Sequence, residues 1–193
     1  MAEIITGAGP GGGPQVNVYS FDAAAGIQLE NSFFAYDPTL RSGITVAVSG
    51  GLIATGPGFT GGPHVKVFEG IDANLVASYF AFDPNSRNGV NVALSFDGSR
   101  IVLTAGTDAG RQPVVGTFDA TTGTLLDSQM VYEPGFLGGV TVTNVTTVQG
   151  ESRTVFGTGL GGGPRIRIFG PGDVLVKDFF AFGEDFRGGV FVG

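Results

Sequence analysis

The stretch Gly7–Phe21, GAGPGGGPQVNVYSF, sets eight residues nearly devoid of side chains directly before an alternating apolar strand. Almost the same text returns at Thr55–Phe68, TGPGFTGGPHVKVF, and at Thr158–Phe169, TGLGGGPRIRIF. The prolines that close each glycine stretch, Pro14, Pro63, Pro113 and Pro164, stand 49, 50 and 51 residues apart. The chain is therefore four copies of one unit, roughly 1–42, 43–88, 89–138 and 139–187, with a further segment at 188–193. A period near 50 points to stacked or radial repeats, and the contents of the unit decide between them.

Each unit carries four short strand signals separated by turn chemistry. A small-residue strand follows glycine at Gly43–Val48, Gly89–Leu94, Gly139–Val142 and Gly189–Val192. The second strand is IITG, LIATG, IVLTAG or RTVFGTG. The third follows the proline as QVNVYSF, HVKVFEG, VVGTFDA or RIRIFG, and the fourth is ENSFFAYD, VASYFAFD, DSQMVYEP or KDFFAFGE. No stretch has the length and 3.6-residue period of a helix. Four antiparallel strands per 50-residue unit predict an all-β chain, a β-propeller with four four-stranded blades forming a single domain over 1–193. The glycine-rich segment then joins second to third strand on one rim, where glycine permits positive φ and proline begins a strand without needing its N–H. A phosphate-cradling loop would need a helix after the glycines, and here a strand follows.

With 193 residues, 42% of them hydrophobic and 14% charged, the chain can bury one sizeable core, and its 35 glycines and 10 prolines are interleaved with apolar runs. No apolar run reaches the ~20 residues that span a bilayer, and the N-terminus lacks the marks of a signal peptide, so no membrane insertion is expected. Without cysteine there is no disulfide and no thiolate site. A net charge of −7 disfavours nucleic acid as a partner.

The strings GAGP, VNVYSF, SFFAYDP and GITVAV, restated as TGPG, VKVF, SYFAFDP and GVNVAL, resemble the FG-GAP/VCBS-like repeats of bacterial surface and secreted proteins, relatives of the integrin-type propeller. The resemblance covers essentially the whole chain and implies a secreted or cell-surface binding, adhesion or structural module. In that family the turn after the small-residue strand often carries a D-x-D-x-D-G calcium loop. Here the matching turns hold at most one acid each, of which Asp97 is the remnant, and the several carboxylate oxygens that calcium prefers are missing. No metal and no cofactor are expected.

Other chemistry is sparse. His64 is the only histidine, so neither a Ser-His-Asp triad nor a multi-histidine metal site can be built in one chain. Asp37, Asp83 and Glu133 recur before Pro38, Pro84 and Pro134, and Arg41 and Arg87 follow two of them four residues later, a pattern of repeated turn stabilisation rather than catalysis. The expectation is a non-enzymatic module whose partner is a protein or a glycan. A carbohydrate-binding lectin and a glycoside hydrolase-like enzyme using rim carboxylates are the alternatives. The repeated aromatics Phe33, Phe34, Tyr36, Tyr79, Phe80, Phe82, Phe179, Phe180 and Phe182 are expected between blades, with Phe34, Phe80 and Phe180 buried at equivalent places.

Variation between copies marks candidate ligand positions. After each proline the alternate residues are Gln15 and Asn17, His64 and Lys66, Val114 and Gly116, and Arg165 and Arg167. The basic pairs read either as an anion-preferring surface or as partners of neighbouring acids. The chain opens on a second-type strand and closes on a first-type strand. The segment at Gly189–Val192 is thus expected innermost beside Ile4 and Ile5, as a four-bladed monomer or, between two chains, an eight-bladed dimer.

Overall fold

The computed structural model describes residues 2–193. They form four antiparallel sheets in chain order. The first contains β1 (Ala2–Gly7), β2 (Gln15–Asp22) and β3 (Gly26–Phe34). The second contains β4 (Ile44–Ser49), β5 (Leu52–Pro57), β6 (His64–Glu69) and β7 (Asn74–Phe80). The third contains β8 (Val90–Phe96), β9 (Ile101–Thr107), β10 (Val114–Asp119) and β11 (Leu125–Met130). The fourth contains β12 (Val140–Thr146), β13 (Ser152–Thr158), β14 (Arg165–Gly170) and β15 (Val174–Phe180). Every strand pairs with its sequence neighbour, so each sheet is a meander and each is one blade of an all-β propeller. The only helical piece among the described residues is the 3₁₀ turn Pro171–Asp173, and no helix is long and apolar enough to cross a membrane.

Alternation along each strand sends one set of side chains to the preceding blade and the other to the following one. Val16, Val18 and Ala35 of the first blade pack against Ile44, Ile53 and Phe68 of the second. Val65, Val67 and Ala77 meet Val92, Leu103 and Phe118 of the third. Val115, Val131 and Tyr132 meet Val142 and Phe156 of the fourth. The core is thus a row of inter-blade layers, each removing apolar surface from water on both sides.

Backbone contacts fix the spacing of the blades. A Cβ added at Gly7, Gly56, Gly106 or Gly157 would stand 2.6–2.8 Å from the carbonyl oxygen of Ile44, Val90, Val140 or Val190. Only glycine lets the next blade's inner strand approach this closely. Side chains bridge the same joint: Thr45 Oγ1 donates to the Val90 carbonyl at 3.0 Å, Asn91 Nδ2 to Val140 at 2.9 Å, and Thr141 Oγ1 to Val190 at 2.6 Å.

Each outer strand also carries one extra residue at the same place. The register shifts between Val18 and Tyr19, Val67 and Phe68, Thr117 and Phe118, and Ile168 and Phe169, leaving Glu30, Val76, Leu126 and Val176 unpaired on the outer strands. Such a bulge twists an edge that would otherwise offer itself to another chain.

Two expectations from the sequence are corrected. Phe34, Phe80 and Phe180 are not buried between blades: they are 54%, 47% and 46% exposed. Their neighbours one residue earlier take the inward side, and Phe33 meets Phe68 across the joint at 4.9 Å between ring centroids. In the fourth blade Phe179 and Phe182 are exposed as well, since no strand among the described residues packs over them. The segment Gly189–Val192 takes the place of a next inner strand against the fourth blade, where the Val190 N–H donates to the Thr158 carbonyl at 2.8 Å. Its expected ladder with Ile4 and Ile5 does not form within the one chain: β1 pairs with β2 alone, and Phe191 is 89% exposed.

Candidate functional site

The glycine-rich segments lie where the sequence puts them, between second and third strands of each blade, and together they build one rim. Gly12, Gly61 and Gly162 each donate an N–H to the carbonyl three residues back, on Gly9, Gly58 and Gly159, which closes a tight turn. A second bond recurs in all four blades. The amides of Gly11, Thr60, Gly110 and Gly161 donate to the carbonyls of Arg41, Arg87, Leu137 and Arg187 at 2.7–3.0 Å. Those carbonyls belong to the crossover leading to the next blade, so every rim loop is clamped, backbone to backbone.

The crossovers are held by the arginines that the sequence marked. Arg41 donates to the carbonyls of Pro38 and Leu40, Arg87 to those of Pro84 and Ser86, and Arg187 to those of Glu184 and Phe186. Asp37 and Asp83 cap the same turns, their Oδ1 atoms accepting from the N–H groups of Thr39 and Asn85 at 2.8 and 3.0 Å. These hydrogen bonds hold both carboxyls below the usual carboxylate range, in Asp37 chiefly that of the Thr39 hydroxyl and in Asp83 that of the Asn85 amide. A general acid in glycoside hydrolysis needs the opposite shift. Phe34, Phe80 and Phe180 lie across the loop glycines: a Cβ on Gly13, Gly62 or Gly163 would come within 3.3–3.7 Å of their rings.

Tip residues occupy equivalent places, Pro10, Phe59, Ala109 and Leu160. Phe59 and Leu160 are 57% and 66% exposed. Beside Phe59 stands Thr60 with φ of +81°, where the other three loops have Gly11, Gly110 and Gly161 at +89°, +92° and +83°. A β-branched residue in this conformation is strained. The sequence reading missed these tips, although the variation among the four aligned positions was there to be read.

The candidate ligand positions fall on the third strands just inside the rim. His64 stacks on Phe80 with centroids 4.6 Å apart, presents an edge to Tyr36 and shares a 2.8 Å hydrogen bond with Ser78. Burial first, and Lys66 second, hold its pKa below the ordinary value of 6.5. Lys66 lies 5.0 Å above the Tyr36 ring and donates to the Ala35 carbonyl at 2.8 Å. Arg167 repeats this arrangement over Tyr132, at 5.2 Å, and donates to the Val131 carbonyl. Arg165 grips Asp178 through two 2.7 Å bonds and reaches Glu133 of the preceding blade at 2.7 Å. The cations at 165 and 167 are thus matched by Glu133 and Asp178, and the uncompensated positive charge that an anion site requires is not assembled there. Gln15 and Asn17 share the Ser32 hydroxyl, at 2.7 Å each, on the first blade.

Tyrosine locks two of the joints. The Tyr36 hydroxyl sits between the carbonyls of Thr55 and His64, at 2.9 and 2.7 Å, and that of Tyr132 between those of Phe156 and Arg165, at 2.7 and 3.1 Å. Clefts open to the rim at two joints. One of about 370 Å³ is lined by Tyr36, Leu40, His64, Lys66 and Phe80, and one of about 420 Å³ by Phe82, Asp83, Asn88, Arg111 and Leu137.

Blades of meandering antiparallel strands joined edge-inward, with a loop-built rim, define the chain as a β-propeller of four blades. Solved structures agree. Chaetomium thermophilum Raptor overlays with a TM-score of 0.62 at 15% identity, covering 94% of this chain and 16% of that one. The quinohemoprotein alcohol dehydrogenase ADHIIG of Pseudomonas putida HK5 overlays with a TM-score of 0.56 at 13% identity, covering 94% and 33%. The Dos1 propeller does so with a TM-score of 0.53 at 17% identity, covering 94% and 52%. The chain spans at most about half the length of these structures, and at such identities the likeness concerns the fold. No protein-family model matches the chain, and no curated protein matches it by sequence.

Proposed function

We propose that this chain is a non-enzymatic, protein-binding propeller module whose contact surface is the glycine-built rim. The observation that carries the reading is the exposure of Phe59 and Leu160 at the tips of loops whose backbones are clamped to the crossovers. Exposed apolar anchors on ordered loops bind with little further loss of conformational freedom. The strain at Thr60 falls at the same tip, as strained backbone often does at binding sites. The contact extends inward to the cleft that contains His64 and Lys66. The resemblance of its repeats to FG-GAP/VCBS-like units supports reading it as a bacterial secreted or surface module with an adhesive or structural role.

A glycan ligand is the weaker reading, because Tyr36, Tyr79 and Tyr132 are turned into the inter-blade core rather than toward a sugar. The test is photo-crosslinking of partners to the wild-type chain and to a Phe59→Asp/Leu160→Asp double variant, beside a glycan array probed with both. Crosslinked protein partners lost in the double variant support the proposal. Glycan binding that survives the double substitution overturns it.

A further inference from the structure

In every blade one cross-strand pair joins the third strand to the outer strand just inside the rim. The pairs are Asn17 and Ser32, Lys66 and Ser78, Gly116 and Ser128, and Arg167 and Asp178. Three of them need nothing further. Asn17 accepts from the Ser32 hydroxyl at 2.7 Å, Gly116 has no side chain to satisfy, and Arg167 meets the Asp178 carboxylate at 3.0 Å. Lys66 is the exception, a cation opposite a serine. Of the three hydrogen bonds its ammonium can donate, one goes to the Ala35 carbonyl at 2.8 Å, and no carboxylate among the described residues forms an ion pair with it. In the fourth blade Arg165 and Arg167 also meet Glu133 across the joint, at 2.7 and 3.5 Å. Asp37 holds the place of Glu133 at the first joint, but its side chain is shorter by a methylene, and its Oδ1 accepts from both the N–H and the hydroxyl of Thr39.

We propose that the cleft at the first joint binds a carboxylate of the protein partner, held by Lys66 and His64 beside Ser78, where the fourth blade holds its own Asp178. The source of the carboxylate rests on the protein-binding reading of the rim, whereas the site itself does not. The chain contains an occupied copy of this site: Arg165 and Arg167 both bond Asp178, while His64 bonds Ser78 and Lys66 is its cross-strand partner. Charge sets the class of ligand. Lys66 and Arg87 are positive and Asp37 is negative, and His64 is neutral near pH 7 because burial first, and Lys66 second, lower its pKa from 6.5. The cleft therefore lacks one negative charge. A single carboxylate supplies it, and a phosphate dianion exceeds it. At about 370 Å³ the cleft is of the size of small-ligand sites, and Leu40, Phe80 and Pro84 line it beside the charges, which suits an acidic residue next to an apolar one.

The experiment is an NMR titration of the 193-residue chain, read at the β6 amides and at the Lys66 side-chain signal, with three probes. Acetyl-leucyl-glutamate amide offers a side-chain carboxylate, acetyl-leucine a terminal one, and acetyl-leucyl-glutamine amide is the neutral control. At least one carboxylate probe is expected to bind saturably and about tenfold more tightly than the control, as a hydrogen bond between charged groups does relative to a neutral one. The tighter of the two carboxylate probes identifies a side chain or a chain terminus as the source. Lys66→Met removes the preference. So does Ser78→Asp, at an exposed site, because it installs the carboxylate that the fourth blade already has and fills the cleft from within. Phe59→Asp on the rim leaves probe binding unchanged, so a failure of the rim to bind protein and a failure of this site are read separately. Carboxylate probes that bind no better than the control overturn the proposal, as does a preference that survives either Lys66→Met or Ser78→Asp. Inorganic phosphate that binds more tightly than both carboxylate probes overturns it as well.

Discussion

At residue 60 one repeat departs from the other three. Gly11, Gly110 and Gly161 pay no steric cost at positive φ, whereas Thr60 does. Thr60→Gly is therefore expected to raise stability by about 1 kcal/mol, read as a higher denaturant midpoint, even though glycine enlarges the entropy of the unfolded chain. A lower midpoint would show that the loop is not strained. His64 supplies a pH dependence. Its folded pKa lies below 6.5, so on acidification the unfolded chain takes up the proton first. Stability present above pH 6.5 falls as pH drops through the folded value, and His64→Gln flattens that decline in thermal melts. Phenylalanines separate by side. Phe68→Ala and Phe118→Ala, buried at joints, should cost about 3–5 kcal/mol. Phe80→Ala, half exposed on the rim, should cost about 1–2 kcal/mol. Urea titrations of the three variants check the order.

At the scale of the element, strand positions and the glycine-rich connections were legible because turn residues and apolar alternation recur in four copies. The inward side of the outer strands was not. A run such as Ser32-Phe33-Phe34-Ala35 offers two aromatics to one pleat, and only the packing of the next blade decides that Phe33 goes in and Phe34 lies over Gly13. The bulges at Glu30, Val76, Leu126 and Val176 left no turn residue to announce them. The partners of the basic pairs were equally hidden, since Arg165 meets Glu133 from 32 residues away. The joint itself is testable. Gly56→Ala puts a methyl 2.6 Å from the Val90 carbonyl, backbone against backbone, and is expected to cost about 1–3 kcal/mol. Tyr132→Phe removes a hydroxyl shared by two carbonyls and is expected to cost about 1 kcal/mol. A Gly56→Ala chain that melts like wild type would mean that the blades are not held at this spacing.

For the molecule as a whole, the count of repeats gave the number of blades, but the closure of the row was a matter of distance between its ends, which periodicity does not encode. Calcium is expected to be irrelevant to folding. Asp97 spends its Oδ1 on the N–H groups of Ser99 and Arg100 at 2.8 and 3.0 Å, and no group of three or more acid or histidine ligands occurs among the described residues. Melting curves with chelator and with calcium should superimpose, and a large rise with calcium would contradict this. The central claim is that the repeated glycine segments are rim loops clamped to the crossovers between blades. Native-state hydrogen exchange at the amides of Gly11, Thr60, Gly110 and Gly161 tests it most directly, because all four donate to crossover carbonyls. The account predicts that these four amides exchange as slowly as their neighbouring strands; exchange at the rate of open, glycine-rich loops would contradict it.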